Sequence, residues 1–168
     1  MAEVSVRRAF IICGTIFFVI FIGLYVIYEL AELYMQHYFN WLASSVGAVA
    51  GWLDPAVSAQ QNLIFYDDKA MLRVVEGCDG VTVFILIAAA VLSFPKPVKQ
   101  RFIGLAILIP ILFAINWLRL FILAQISFYV PEAFQLFHVY LFQPFMIFAT
   151  FACFIVWILR HEKTDYAH

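Results

Sequence analysis

The chain has 168 residues, of which 65% are hydrophobic and only 12% are charged. A soluble domain is roughly half apolar and about a quarter charged, so this composition excludes an ordinary soluble protein and indicates contact with lipid. The formal net charge of -1 gives no sign of a nucleic-acid partner, and the length predicts a single membrane domain over residues 1–168.

The first apolar segment, residues 9–28, follows Arg7 and Arg8 and contains no charged residue. A bilayer core of about 30 Å needs about 20 apolar residues of helix, so this segment predicts a transmembrane helix. The charged start is similar to that of a signal peptide, but no small-residue cleavage site follows it. We therefore expect a retained membrane anchor.

A long connection, residues 29–77, follows the first segment and mixes apolar with polar stretches. Within it, residues 38–53 place apolar side chains at helical spacing, which predicts an amphipathic helix at the membrane interface or packed on the bundle. Ala43, Gly47 and Gly51 recur four residues apart. This spacing either allows another helix to approach closely or arises by chance in a stretch rich in Ala and Gly.

The end of this connection predicts a β-hairpin. Short apolar runs at residues 62–66 and 70–75 flank a charged turn, a pattern typical of two strands joined by a tight connection. The hairpin would stand over the membrane and deliver the chain to Cys78, at the start of the second apolar segment.

A cysteine between two glycines, in the run Gly77-Cys78-Asp79-Gly80, opens the second apolar segment at residues 80–94. Glycines on both sides favour a tight turn whose backbone another group can approach. Asp79 is a candidate N-cap for the helix that follows. Cys78 would then lie at a helix N-terminus, whose partial positive charge favours the thiolate.

The charges around Cys78 decide whether it can act as a nucleophile. Glu76 and Asp79 are close in sequence, and nearby carboxylates raise the pKa of a thiol. A catalytic Cys78 therefore needs a cationic partner from elsewhere in the chain. Cys13 and Cys153 lie within apolar runs, where a cysteine usually acts as a small apolar filler.

The third apolar segment, residues 102–123, contains Asn116 and Arg119, and a kink is expected at Pro110. An ionisable residue near the centre of a span costs at least about 2.5 kcal/mol, so it marks a functional site by default. Snorkelling of Arg119 to the lipid headgroups is the alternative. Because Asn116 lies three residues earlier, both side chains share one helix face, which favours an inward polar site.

His138 precedes the fourth apolar segment, residues 140–159, whose Pro144 falls in the first helical turn, where proline is tolerated. Alone, a histidine among aromatic residues near a membrane interface is more often structural. Its position on the same predicted face as Cys78 favours a catalytic role. The remaining histidines are weaker candidates: His37, His161 and His168.

The distribution of positive charge orients the four predicted spans. Basic residues cluster before the first span, between the second and third, and after the fourth: Arg7, Arg8, Lys96, Lys99, Arg101, Arg160 and Lys163. Because cytoplasmic loops are enriched in Lys and Arg, we expect four transmembrane helices with both termini in the cytoplasm. Residues 29–77 then form an outer-face insert. The predicted fold class is an all-α integral membrane protein with an outer amphipathic helix and a short β-hairpin.

A thiol, an imidazole and a guanidinium together suit acyl transfer. Cys78 would attack a peptide carbonyl, and His138 would protonate the departing amine and later deprotonate the incoming nucleophile. Arg119, which is always charged, would stabilise the oxyanion or the thiolate. Three further residues are expected to support the site: Asn116, Glu76 and Asp79. This chemistry needs no cofactor and the sequence contains no metal-ligand spacing, so we expect neither.

These residues resemble the motifs of the exosortase/archaeosortase family of membrane transpeptidases. The run Glu-Gly-Cys-Asp-Gly at residues 76–80, opening an apolar helix, is similar to the family's cysteine motif. The run Asn-Trp-Leu-Arg at residues 116–119 is similar to its Asn-x-x-Arg motif, and His138 falls where exosortases carry histidine. The likeness covers residues 63–159, and the compact length is most like the short exosortase H type.

The resemblance implies an enzyme of the cytoplasmic membrane whose substrates end in a sorting signal made of a short motif, a transmembrane helix and a basic tail. The expected partners are membrane lipids, such substrate proteins and a cell-surface acceptor of the acyl group. The active site would face the periplasm or the exterior. The resemblance implies Cys78 as nucleophile, Arg119 as oxyanion or thiolate partner and His138 as acid and base. Asp79 stands where Ser or Asn is more usual, which adds a negative charge beside the thiol.

Other classes of protein fit the sequence less well. A non-catalytic scaffold or degenerate homologue could bind a partner helix through Gly47 and Gly51, and it would tolerate Asp79 beside Cys78. A thiol-redox enzyme would need a second cysteine on the outer face, and an intramembrane serine protease lacks its Gly-x-Ser-x-Gly run. A small channel or transporter is only weakly favoured by one intramembrane arginine.

Overall fold

The computed structural model describes the backbone of residues 2–165 and the side chains of residues 8, 10–31 and 34–160. Within these residues the helices, named α1 to α5 in chain order, are Ala2–Leu30, Glu32–Leu53, Val81–Ser93, Val98–Tyr129 and Gln143–Asp165. The strands, named β1 to β3, are Val57–Gln60, Leu63–Tyr66 and Lys69–Arg73. A 3-10 turn at Pro131–Ala133 and a π-helical segment at Leu136–Phe142 lie between α4 and α5.

The protein is a membrane protein with several apolar helices. In the part of the chain that the structure describes, three helical segments are long and apolar enough to cross a bilayer: Phe10–Leu30, Val98–Tyr129 and Pro131–Arg160. They cover nearly all of three predicted spans, and α4 continues through Pro110. The predicted second span, residues 80–94, corresponds to α3, which has 13 residues and a length of about 20 Å. Because a bilayer core is about 30 Å thick, the predicted count of four spans is not confirmed.

The orientation of the termini stays a prediction. Two residues that contributed to it, Arg7 and Lys163, have side chains outside the described residues. The side that the active site faces likewise stays a prediction, because the helices alone do not distinguish the two sides of a membrane.

Helix α2 forms where residues 38–53 predict a helix, and it begins earlier in the chain. Phe39 and Val46 on one face are buried in a core. The other face carries Trp41, which is more than half exposed, and Trp52, which is 90% exposed. Since both faces bear large apolar side chains, the predicted amphipathic division is not confirmed.

The predicted hairpin is present as β2 and β3, which pair antiparallel with Tyr66 opposite Lys69. Asp67 and Asp68, between these two residues, have φ angles of 48° and 61°, the conformation of a type I′ hairpin turn. β1 was not predicted, because its four residues are too few to show an alternating pattern. It pairs with β2 and gives a three-stranded sheet in the order β1-β2-β3.

The small-residue face of α2 lies against β1. A Cβ on Gly47 would be 2.5 Å from the Cβ of Ala59, and a Cβ on Gly51 would be 2.9 Å from the Val57 carbonyl oxygen. The spacing of small residues therefore does allow a close approach, but the partner is a strand of the same chain. This face is not available to a second helix.

The chain divides into two compact units. The first consists of Met1–Leu30, Thr82–Leu112 and Phe148–His168, and the second of Ala31–Val81 and Phe113–Ile147. In the second unit, α2, the sheet and the C-terminal part of α4 contribute to one core, in which Leu42, Ile64 and Leu120 are fully buried. The second unit contains every residue proposed above for catalysis or its support. The expectation of a single domain stays a prediction.

In the first unit, Arg101 near the start of α4 binds the C-terminal end of α3. Its NH1 donates a hydrogen bond to the Leu92 carbonyl at 2.8 Å, and its Nε donates to the Lys96 carbonyl at 2.7 Å. Leu92 lies in the last turn of α3, where carbonyl groups have no partner within the helix. Arg101, one of the residues on which the predicted orientation rests, thus also fixes the connection between two apolar helices.

We expect Gly47→Ala to lower the thermal stability of the protein, because the added methyl group would overlap Ala59. Overpacking of this kind costs about 1–3 kcal/mol. Gly23→Ala is the matched control, since nothing lies within 4 Å of a Cβ at that helical position. The midpoint of thermal unfolding in detergent should fall for Gly47→Ala and stay or rise for Gly23→Ala. Equal midpoints for the two variants would contradict the packing of α2 on β1.

Candidate active site

Cys78 lies in a tight turn between β3 and α3. Its backbone N–H donates to the Val75 carbonyl at 3.0 Å, which closes the turn. Gly77 and Gly80 have φ angles of 82° and 81°, a left-handed conformation that glycine adopts without side-chain strain. Cys78 itself is only 7% exposed. The two flanking glycines are therefore required by a turn that places the cysteine in a nearly closed environment.

Two side chains hold the backbone of this turn. Asn116 on α4 donates from Nδ2 to the Cys78 carbonyl at 3.2 Å, and the hydroxyl of Tyr38 on α2 donates to the Asp79 carbonyl at 3.0 Å. A Cβ on Gly80 would lie 2.7 Å from Cγ of Asn116, so a side chain there would displace the amide. The turn is thus fixed from two helices at once.

The two carboxylates of the motif have different environments. Asp79 is fully buried, whereas Glu76 is exposed on the same turn. Because α3 begins at Val81, Gly80 occupies the position directly before the helix. The predicted N-cap role of Asp79 is therefore not supported, and its carboxylate acts on the site as a buried negative charge.

Arg119 lies one helical turn after Asn116 on α4 and is 4% exposed. Its NH1 donates to Oδ1 of Asn116 at 3.3 Å, and its NH2 lies 3.5 Å from Nδ1 of His138. The two α4 side chains share a helix face, as their spacing predicts. The guanidinium is consequently buried among polar groups of the second unit.

His138 lies in the π-helical segment Leu136–Phe142, which leads directly into α5. Its Nε2 is 3.8 Å from Sγ of Cys78. Its ring stacks on Phe134 with centroids 5.4 Å apart and planes inclined by 9°. The sequence placed His138 in a plain connection and did not predict the π-helical geometry, which often marks functional sites.

The polar contacts of the site form a ring that begins and ends at Cys78. It runs from the Cys78 carbonyl through the side chains of Asn116, Arg119 and His138 back to the Cys78 sulfur. We call these four residues the polar ring. It brings together a thiol, an imidazole and a guanidinium from three separate segments, which are the groups that acyl transfer uses.

The electrostatic environment of Cys78 contains opposing effects. Burial raises the pKa of its thiol, the positive charge of Arg119 opposes this rise, and the carboxylate of Asp79 adds to it. The thiol is therefore protonated at rest and needs a base before it can attack. Burial and the Asp79 carboxylate also raise the pKa of Tyr38 to about 12, so its hydroxyl keeps the proton that it donates to the turn.

Tyr38 is a site residue that sequence reasoning missed. Only its position at the start of the predicted helix, residues 38–53, was visible in the sequence. Its contact with residue 79 joins segments that are 41 positions apart, and no local pattern indicates such a contact. A tyrosine on an apolar helix is otherwise typical of a membrane interface.

The remaining cysteines and histidines occupy other parts of the fold. Cys13 and Cys153 are half-buried, in α1 and α5 of the first unit. His37 is exposed on α2. The side chains of His161 and His168 lie outside the described residues.

The rate at which a maleimide alkylates Cys78 should rise with pH around a midpoint above that of an ordinary thiol, because only the thiolate reacts. Asp79→Asn removes a charge that raises the thiol pKa, so the midpoint should fall. Arg119→Gln removes a charge that lowers it, so the midpoint should rise. The measurement uses protein in detergent with Cys13 and Cys153 replaced by alanine.

Asp68→Asn is the control for these charge changes, because Asp68 is exposed in the hairpin turn. It should leave the midpoint of Cys78 alkylation where it is. A midpoint that moves equally in Asp68→Asn and Asp79→Asn, or in neither, would show that Asp79 has no specific effect on the thiol.

Gly80→Ala should disturb the site more than Gly77→Ala, although both glycines have φ angles near 80°. A Cβ on Gly80 would overlap Asn116, whereas nothing lies within 4 Å of a Cβ on Gly77. Both variants carry backbone strain, so their difference isolates the displacement of Asn116. We expect Gly80→Ala to be less stable to heat by a further ~1–3 kcal/mol. Equal stability would mean that Asn116 does not hold the turn.

Comparison with known proteins places the chain in a family. A family model described as transmembrane exosortase (Exosortase_EpsH) matches residues 3–162, nearly the whole sequence. No curated protein and no solved structure matches it. Exosortases are generally cysteine transpeptidase-like membrane proteins. The chain therefore belongs to the transmembrane exosortase family, which confirms the resemblance seen in its motifs and implies a role in processing protein sorting signals.

Proposed function

We propose that this exosortase is a cysteine-dependent peptidase and transpeptidase with Cys78 as its nucleophile. The observation that carries the proposal is the 3.8 Å distance between the Cys78 sulfur and Nε2 of His138, with Arg119 3.5 Å from the other ring nitrogen. A nucleophile, a base within its reach and a cation beside them are the parts of covalent acyl transfer. Such contacts are often longer before substrate binds.

In the first half-reaction His138, in the tautomer that carries its ring proton on Nδ1, takes the thiol proton at Nε2, and Sγ of Cys78 attacks the carbonyl carbon of the scissile peptide. Arg119, a permanent cation, stabilises the negative charge that develops on the sulfur and then on the carbonyl oxygen. His138 gives its proton to the amine nitrogen and the C–N bond breaks. The acyl group remains on Cys78 as a thioester.

In the second half-reaction, His138 takes a proton from the acceptor nucleophile, which attacks the thioester carbonyl. The C–S bond breaks, and the sulfur of Cys78 recovers the proton from His138.

We propose that the substrates are membrane-anchored proteins whose C-terminus carries a short motif, a transmembrane helix and a basic tail, cut at the outer face of the cytoplasmic membrane. Family membership supports this substrate class. The charge distribution supports the orientation if α3 is a short fourth span. With three spans, Arg8 and Arg160 would lie on opposite sides, against the bias of basic residues to the cytoplasm. Local thinning of the bilayer accommodates a short helix.

The alternative is a non-catalytic scaffold or a degenerate homologue. The raised pKa of Cys78 and the buried Asp79 beside it favour this alternative, since both oppose formation of the thiolate. The contact of Gly47 with β1 disfavours a scaffold that binds a partner helix through α2, because the small-residue face of α2 is already occupied. A scaffold would keep its function when Cys78 is replaced by serine.

The test is co-expression with reporter proteins that end in a short motif, a transmembrane helix and a basic tail, with the reporter mass followed over time. Cys78→Ala, Arg119→Ala and His138→Ala should each slow processing by at least about 100-fold at equal membrane levels. Cys153→Ala is the matched control and should process at the wild-type rate.

The outcomes separate the two functions. If the tail is removed by wild type and by none of the three site variants, the mass of the product identifies the acceptor. If processing survives the loss of Cys78, the assignment of the nucleophile is wrong. If wild type processes no reporter, the scaffold function is favoured.

A further inference from the structure

We infer that the open edge of strand β3 binds the sorting motif of the substrate as an added β-strand, which brings the scissile bond to Cys78. The inference rests on the proposed function and names how the substrate of that site is held. Extended peptides commonly bind proteins in this way, with backbone hydrogen bonds giving affinity and alternate side chains giving specificity.

The two edges of the sheet differ. β1 lies along α2, with its Val57 carbonyl and Ala59 side chain close to the small-residue face of that helix. β3, at the opposite edge, has β2 as its only extensive neighbour among the described elements. Apart from the pairing of β3 with β2, no backbone hydrogen bond joins Lys69–Arg73 to another described part of the chain. β3 is therefore the edge at which a further strand can pair.

Hydrogen-bond alternation shows which residue of β3 faces outward. The N–H of Val74 donates to the Asn62 carbonyl at 2.8 Å, so Val74 points toward the β2 side of the sheet. Successive residues of an antiparallel strand point their backbone groups to opposite sides. Arg73, which stands opposite Leu63, therefore directs its N–H and carbonyl away from β2. It offers a donor and an acceptor to one residue of an incoming strand.

The open edge of β3 lies only a few residues before Cys78 in the chain. Val74 still pairs with β2, and the turn closed by the Cys78 N–H and the Val75 carbonyl follows at once. From Arg73 to Cys78 an extended chain could cover at most about 17 Å. A peptide paired with Arg73 thus needs about five residues or fewer to present a peptide bond to the sulfur. The occupant fitted by this placement is the extended segment just before the transmembrane helix of the substrate.

The exposed charges on β3 allow a simpler explanation. Lys69 and Arg73 are both exposed, and basic residues at a sheet edge protect against unwanted pairing. In that case the backbone of Arg73 faces water and makes no contact with substrate. The backbone and the side chain of Arg73 must therefore be tested separately.

The first test compares Arg73→Pro with Arg73→Ala in the reporter assay. Both variants remove the guanidinium, but only proline removes the outward N–H, and proline is tolerated at such edge positions. We expect processing to be about tenfold slower or more in Arg73→Pro than in Arg73→Ala, the effect of losing a backbone hydrogen bond to substrate. Equal rates would overturn the inference, provided that both proteins unfold at similar temperatures.

The second test decides the question even if Arg73→Pro fails to fold. Arg73→Cys is made in a chain whose native cysteines are replaced by alanine, and the reporter carries one cysteine at successive positions before its transmembrane helix. Pairing predicts disulfides at every second reporter position, because side chains alternate along a strand. Ser58→Cys, exposed on β1, is the control and should form none. Cross-links without this alternation, or equal cross-links from both positions, would overturn the inference.

The two failures can be distinguished. If wild type processes reporters but alternating cross-links are missing, only the role of β3 is wrong. If wild type processes no reporter at all, the proposed function fails and the inference fails with it.

Discussion

The site depends above all on the hydrogen bond from Asn116 to the carbonyl of Cys78. This bond fixes the turn that carries Cys78 to the helix that carries Arg119, because Asn116 also accepts a hydrogen bond from Arg119. Gly80 must lack a side chain for the amide to approach. Arg119 then reaches His138, and His138 reaches the sulfur. If Asn116 moved, the thiol and the guanidinium would lose their common support.

A second constraint is the balance between burial and charge at the sulfur. Burial and Asp79 raise the thiol pKa, and Arg119 lowers it. At rest the thiol of Cys78 is therefore protonated and weakly nucleophilic, because the thiolate is the reactive form. Under the proposed function, attack on the substrate carbonyl offsets the cost of forming the thiolate. The negative charge then moves from the sulfur to an oxygen that Arg119 can also stabilise.

Much of the fold could be predicted because the lipid imposes simple requirements. Apolar segments of sufficient length predicted the three long helices, and the polar turn at Asp67 and Asp68 predicted the hairpin. β1 was missed because four residues carry too little pattern, and its place is set by contact with α2 at Gly47. The shortness of α3 was visible in the sequence, but whether it crosses the membrane depends on its surroundings rather than on its own composition.

The candidate site could be found from unusual local features, but not its geometry. A cysteine between two glycines and an arginine within an apolar helix stand out in any membrane protein. The π-helical segment around His138 and the hydrogen bond from Tyr38 do not, because both result from packing between distant segments. The N-cap assigned to Asp79 shows the same limit, since a shift of one residue in the start of α3 turns a capping group into a buried charge.

The most direct test of the account is to look for the covalent intermediate on Cys78. Wild-type protein would be mixed, in the absence of acceptor, with an intact reporter that it is known to process. The mixture would be quenched in acid, digested and analysed by mass spectrometry. The account predicts the reporter's acyl fragment on the peptide that contains Cys78, through a bond that hydroxylamine cleaves. An acyl fragment on another residue, or turnover that proceeds with Cys78 never modified, would contradict it.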